Sequence, residues 1–325
     1  MYSAHLIVSL HSVMILNCSL LIVGIALVLW GADRFTDGAC AIARRWNVSE
    51  MVIGLTIVAL GTSLPEFMVS FLSVLKGSAD MSVGNIVGSN IFNTLVIVGA
   101  SALMMKMPVE RTLLVYDIPF SMFAALCLYF VASSDGNIRR IEGLALLLFF
   151  AGFLYYTFWR SHKKNPEAVS ETSKAEHTPI MNIIVLLVLG CASLVFGGHL
   201  MVNNAADLAR EWGISERIIG LTILAAGTSL PELATSMMAA RKGSDGLALG
   251  NAIGSNVFNI AFVIGICSIV KPMAVSDISI ADWFTLIFSN VLLWVLAYTR
   301  HRLTCWKGAV LVAAYIAYLL YILIM

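Results

Sequence analysis

Two acidic residues fall where an acid is costly. Glu66 and Glu232 each close a GTSLPE hexapeptide, at residues 61–66 and 227–232, and each hexapeptide lies in a stretch apolar enough to cross a bilayer. Placing an acid at mid-bilayer costs about 2.5–3.5 kcal/mol on insertion scales. No Lys or Arg falls at matching depth in any candidate span to offset that cost, so a cation from outside the chain is the simplest partner. The neighbours fit this chemistry. On a helix, Thr62 lies four residues before Glu66 and Ser63 three, which puts three oxygen-bearing side chains on one face. Pro65 has no amide hydrogen, so the Gly61 carbonyl loses its helical partner. A broken helix with free carbonyls beside a carboxylate is tolerated in a bilayer only where it lines a cavity. Thr228, Ser229 and Glu232, with Gly227 and Pro231, repeat the arrangement.

A second motif is also printed twice. GNIVGSNIFN (84–93) and GNAIGSNVFN (250–259) differ at three positions. A turn is expected near Ser78–Asp80, midway between Glu66 and Asn93, and about 13 residues of helix on each side cover about 20 Å. Asn93 and Ser89, four apart on one face, therefore return to the depth of Glu66. The same count across a turn at Asp245–Gly246 brings Asn259 and Ser255 to Glu232. The resulting inventory is carboxylate, amide, hydroxyl and backbone carbonyl oxygen, with no thiolate or imidazole. That is a hard-cation set, of the kind Ca²⁺ takes about six to eight at a time, and Na⁺ accepts the same ligands.

Other polar residues read differently. Asn85, Asn90, Asn251 and Asn256 are expected to hydrogen-bond between helices, and Gly84, Gly88, Gly250 and Gly254 to let helix backbones approach closely. Asp117 and Asp282 are expected at helix N-termini, where the macrodipole favours an acid. Asp80, Asp245, Lys76 and Lys242 are read as solvated loop charges. The cysteines occur singly, with no C-x-x-C, and are read as small packing residues; the histidines are unclustered, and His199 is given a plain hydrogen-bonding role.

The elements that must position these groups follow from composition. Of 325 residues, 59% are hydrophobic and 12% charged, about half the charged share of a soluble domain. The chain is therefore an all-α integral membrane protein. A net charge of +1 points to no nucleic-acid partner, and no cleavable signal is evident before the first apolar run. At about 20 apolar residues per span, ten spans are expected, centred near residues 20, 63, 95, 123, 150, 192, 229, 260, 290 and 314. The polar stretch 161–180 separates a first five-helix unit, 1–160, from a second, 181–325. Because five is odd, the second unit enters the membrane from the opposite side, so the halves are inverted repeats, an arrangement used for alternating access. With the N-terminus outside, inner loops hold fourteen Lys and Arg and outer loops six; this bias places both termini outside and the linker in the cytoplasm.

The paired GTSLPE and GN-x-x-GSN-x-x-N segments resemble the two alpha repeats of the calcium/cation antiporter superfamily, specifically its sodium–calcium exchanger branch. The resemblance extends over nearly the whole chain. It implies an antiporter of a plasma (inner) membrane that exchanges Ca²⁺ for Na⁺, exporting Ca²⁺. It implies cation ligands Thr62, Ser63, Glu66, Ser89 and Asn93, with Thr228, Ser229, Glu232, Ser255 and Asn259, and the backbone carbonyls of Ala59 and Ala225. It also implies sliding of the first and sixth helices across a four-helix core. Ca²⁺ and Na⁺ would be transported ions rather than cofactors, the bilayer is the surrounding partner, and no obligate protein partner is evident. A proton-coupled antiporter is the alternative within the superfamily, although that branch usually lacks GTSLPE. From other classes, an intramembrane hydrolase could use Glu66 and Glu232 as an acid/base pair, and a channel would need a filter or charged rings that the sequence does not show.

Overall fold

The computed structural model describes residues 2–163, 179–213, 225–275 and 278–324. Its framework is helical. Helix α1 runs Tyr2–Trp46. Helix α2 is broken into Glu50–Thr62 and Leu64–Leu75, bent by 47°. Then come α3 (Ala79–Met104), α4 (Leu113–Ser134), α5 (Arg140–Lys163) and α6 (Ile180–Glu211). Helix α7 (Leu230–Arg241) follows the short turn Ala225–Gly227. Helices α8 (Asp245–Val270), α9 (Ile280–Tyr298) and α10 (Cys305–Ile324) complete it. Among the described residues, eight helices are long and apolar enough to span a membrane, and broken α2 adds a ninth. Helix α7 stands at the expected tenth, but the residues before Ala225 lie outside the described ones. Most of the expected linker, 161–180, does too.

One helix end differs from expectation. Helix α1 continues to Trp46, so Arg34, Arg44 and Arg45, expected in a loop, lie on its last turns. Pro65 and Pro231 mark broken helices, as expected: each sits in the first turn of a new helix, where its missing N–H costs nothing. The break falls on the serine before, with Ser63 at φ −84°, ψ 10° and Ser229 at φ −87°, ψ 10°.

Four two-residue strands record the inversion. Strands β1 (Met107–Pro108), β2 (Asn137–Ile138), β3 (Met273–Ala274) and β4 (Arg302–Leu303) pair as β1 with β4 and β2 with β3, both antiparallel. One span, α4, separates β1 from β2, so the two pairs lie at opposite membrane faces. Strand β1 follows α3, and β3 follows α8, its repeat counterpart. The two counterparts thus end on opposite faces, as inverted repeats require.

The motif helices form the centre. In α3 and α8, 78% of the most apolar window is buried, against 22% in α1 and α6. Helices α2 and α8 touch backbone to backbone: a Cβ added at Gly250 would lie 2.6 Å from Met51 O, and one at Gly254 2.5 Å from Leu55 O. For Gly84 and Gly88 the repeat counterparts of Met51 and Leu55, at positions 217 and 221, lie outside the described residues, so the close contact is seen at Gly250 and Gly254. Outside the centre, α1 and α6 pack together through Gly24, Gly31, Gly190 and Gly197.

Candidate functional site

In each repeat a serine, Ser63 or Ser229, stands just before a helix whose first turn carries the glutamate. The two breaks face one another, and the partnership is crossed. Ser63 Oγ donates to Glu232 Oε1 at 2.7 Å, and Ser229 Oγ donates to Glu66 Oε1 at 2.8 Å. Sequence spacing had grouped Ser63 with Glu66 on one face; the helix break at Ser63 turns its hydroxyl toward the other repeat instead. Glu66, Glu232, Ser63 and Ser229 are all fully buried. The second oxygen of each carboxylate, Oε2, is buried with no hydrogen-bond partner among the described residues.

The asparagine motif supplies the surroundings. Ser89, Asn93, Ser255 and Asn259 are buried in α3 and α8. Among the described residues, Ser89 Oγ, Ser255 Oγ, Asn259 Oδ1 and both polar atoms of Asn93 lack partners, as does Thr228 Oγ1. The expected depth match does not become a direct bond between Glu66 and Asn93 or Ser89. Asn93 opens a π-helical segment, Asn93–Ile97, and Asn259 sits within another, Phe258–Ile264. A π-bulge widens one turn and is often found at functional sites. Buried polar atoms normally find partners because leaving one unpaired costs about 1–3 kcal/mol. Two carboxylate oxygens and several neutral oxygens left unpaired in one region form a surface suited to a desolvated cation.

Not every expected ligand is free. Thr62 Oγ1 lies 3.1 Å from both Val58 O and Asn251 Oδ1. The Ala59 carbonyl accepts the Ser63 amide at 3.0 Å, leaving one lone pair. Ala225 opens the turn Ala225–Gly227, and the residues immediately before it are outside the described ones. The Gly61 carbonyl, orphaned by Pro65, takes the Cys191 thiol at 3.4 Å, a polar role for a residue read as packing alone.

The remaining asparagines lock the frame, as expected. Asn85 Nδ2 donates to Ser70 Oγ and Glu66 O, and Asn251 Nδ2 donates to Ser236 Oγ and Glu232 O. Each thus ties its helix to the backbone of a site glutamate. Asn90 reaches Asn256 O, Asn256 reaches Thr94, and Asn259 reaches Asn90, joining α3 to α8. Asp282 sits in an N-terminal capping box with Ser279, as expected. Asp117 does not: it is buried one turn inside α4, and Arg160 Nη2 grips both its oxygens at 2.9 and 3.0 Å. Lys242 is not a solvated loop charge either, since it bridges to Asp33 and Asp37 of α1 at 2.7 and 2.6 Å. The crossed serines and π segments were missed. Inverted repeats imply a two-fold axis that sets each motif against its copy, and that signal was available.

Comparison with known proteins agrees with this architecture. The family described as sodium/calcium exchanger protein matches residues 16–159 and 182–324. The chain is 39% identical to a putative antiporter, CaxA, of Alkalimonas amylolytica over 91% of this chain and 95% of that one. It is 31% identical to the sodium/calcium exchanger MaX1 of Methanosarcina acetivorans, covering 93% and 97%. Among solved structures, the sodium-calcium exchanger NCX_Mj aligns with a TM-score of 0.79 at 31% identity, covering 93% and 97%.

Proposed function

The chain belongs to the sodium/calcium exchanger family, and from that premise we propose the cation site, direction and orientation of a Ca²⁺/Na⁺ antiporter in the membrane. The observation that carries the site is the crossed pair of serine–glutamate bonds surrounded by unpartnered buried oxygens. Each serine fixes one carboxylate oxygen and leaves the other to a cation. Glu66 and Glu232 together supply a formal charge of −2, which one Ca²⁺ balances. Ser89, Asn93, Ser255, Asn259 and Thr228 add neutral oxygens, with Thr62 and the Ala59 and Ala225 carbonyls at the edges. Ca²⁺ and Na⁺ compete for these same oxygens, so bound Na⁺ must leave before Ca²⁺ can be held; that competition is exchange.

Alternating exposure comes from α1 and α6, which pack on each other and lie largely outside the core, sliding across α2, α3, α7 and α8. Units 1–160 and 181–325 act as the two repeats, with 161–180 between them in the cytoplasm. Transport drives Ca²⁺ outward on the inward Na⁺ gradient across the inner membrane. Hydrolysis needs two carboxylates in unlike roles, whereas here both glutamates have the same partners, so an enzymatic reading has no support.

The test is ⁴⁵Ca²⁺ uptake into Na⁺-loaded proteoliposomes. Uptake that collapses when the Na⁺ gradient is removed is expected. Uptake driven by a pH gradient and indifferent to Na⁺ would replace Na⁺ with H⁺ as the coupling ion. For orientation, a cysteine at Asn137 in a Cys-free background should react with an impermeant thiol reagent on intact cells, and one at Lys106 only after lysis. The opposite pattern reverses the topology.

A further inference from the structure

The turn between α9 and α10 carries a basic cavity that the cation site does not use. It is open, measures about 850 Å³, and is lined by Lys106, Arg300, Arg302, Thr304, Trp306 and Lys307 among others, with no acidic residue. Lys106, Arg300 and Arg302 form no ion pair with an acid among the described residues. Lys307 is buried, and its ammonium donates to Leu296 O, Thr299 O and Arg302 O at 2.7, 2.5 and 2.7 Å. It shapes the turn and places an unneutralised positive charge beneath it. Thr304 Oγ1, on the cavity wall, is buried without a partner among the described residues.

The turn itself is built in an uncommon way. Arg300 and His301 both adopt left-handed backbone conformations, at φ 62° and 49°, which side chains with a Cβ seldom do. The counterpart turn at the opposite face, between α4 and α5, takes its left-handed step at Gly136 within the sequence Asp135–Gly136–Asn137. The fold therefore does not need arginines to make this turn. Strand β4 and the bond from Val109 N to His301 O hold it in place.

We propose that this cavity binds the headgroup phosphate of an anionic phospholipid. Guanidinium groups grip phosphate oxygens in pairs, and Lys106 and Lys307 add to the field. A lipid fits better than free phosphate because the cavity is flanked by exposed apolar side chains. Trp306, Leu103, Met104 and Val310 are 59%, 40%, 44% and 39% exposed, and Trp is at home at the level of headgroups. With the orientation proposed above, the cavity opens to the cytoplasmic leaflet, where anionic lipids concentrate and basic pockets between helices recruit them.

The test uses the full-length protein in neutral detergent and follows its thermal unfolding by tryptophan fluorescence. Dioleoyl phosphatidylglycerol should raise Tm, while dioleoyl phosphatidylcholine and inorganic phosphate should not. The R300Q/R302Q variant should lose the phosphatidylglycerol shift, and R139Q/R140Q, at the opposite-face turn, should keep it. Should the double variant fail to fold, K106Q serves in its place and should reduce the shift. Equal stabilisation by phosphatidylcholine, or an undiminished shift in R300Q/R302Q or K106Q, overturns the proposal and leaves these residues only the role of orienting the chain. A shift with inorganic phosphate equal to that with lipid overturns the lipid assignment in favour of a free-anion site.

Discussion

Ser63 and Glu232 lie 169 residues apart and belong to different repeats, yet the Ser63 hydroxyl donates to the Glu232 carboxylate over 2.7 Å. The mirror relationship joins Ser229 to Glu66. Neither half of the chain therefore holds the whole of the candidate site. Each half provides an acid and the hydroxyl that orients the other half's acid, so displacement of one repeat against the other disturbs both carboxylates together.

This crossing predicts which mutations couple. Ser63→Ala combined with Glu232→Asp should show a coupling energy in the range of about 0.5–3 kcal/mol for Ca²⁺ binding, as contacting residues do. Ser63→Ala with Glu66→Asp should be closer to additive. Calorimetric Ca²⁺ titration of the single and double variants measures the difference. Stronger coupling within a repeat than across it would contradict the crossed arrangement.

Charge removal should be more severe. Glu66→Gln or Glu232→Gln keeps the size and one hydrogen-bonding oxygen but removes the charge that offsets cation desolvation. Either change is expected to abolish Na⁺-driven ⁴⁵Ca²⁺ exchange while the protein remains inserted and monodisperse. Substantial flux in both variants would remove the site assignment.

The site charge also bears on K⁺. The resemblance to the calcium/cation antiporter superfamily implies an Asp at the position of Asn259 in K⁺-dependent members. With two carboxylates, one Ca²⁺ leaves the site neutral, and an added K⁺ would leave +1 in a region of low dielectric. Exchange should therefore proceed when choline replaces K⁺, and Asn259→Asp should make it more responsive to K⁺. An unmodified protein that is inactive in choline and restored by K⁺ would overturn the charge argument.

A fourth expectation concerns α1. Lys242, in the turn after α7, bridges Asp33 and Asp37 of α1. Burial disfavours its ammonium, but the hydrogen bonds and charges of both acids outweigh this and hold its pKa above the ordinary lysine value. A raised lysine pKa means the bridge persists below the lysine range and is lost only as pH rises through it, so it is intact at neutral pH. An offset of 166 residues maps Lys242 to Lys76 and the two acids to His199 and Asn203, which bond to each other. Among the described residues, the ion-paired latch thus exists at one face alone. Exposed pairs are worth about 0.2–1 kcal/mol each. Asp33→Asn/Asp37→Asn should accordingly speed amide hydrogen exchange in the adjoining part of α1 by a few-fold, and unchanged exchange would mean that the bridge restrains nothing.

The sequence by itself determined a great deal. Spans are written in apolar length, because the bilayer forces every backbone bond to close within its own helix. The inversion is written in an odd number of spans per repeat, and the hard-cation chemistry in two copies of GTSLPE and two of GSN. Residue type also marked Asn85 and Asn251 as links between helices, since an amide inside a bilayer commonly bonds to a neighbouring helix. What the sequence could not decide was partnership across the repeats. Helical periodicity assigned Ser63 to Glu66, but the backbone leaves the helix at Ser63 and the hydroxyl passes to Glu232. Asp117 read as a helix-end acid until α5 brought Arg160 to it, and Lys242 as a loop charge until α1 extended to meet it. Those contacts depend on how helices far apart in the chain are packed and on where each one ends. Local spacing carries no record of either, so only the tertiary structure settled them.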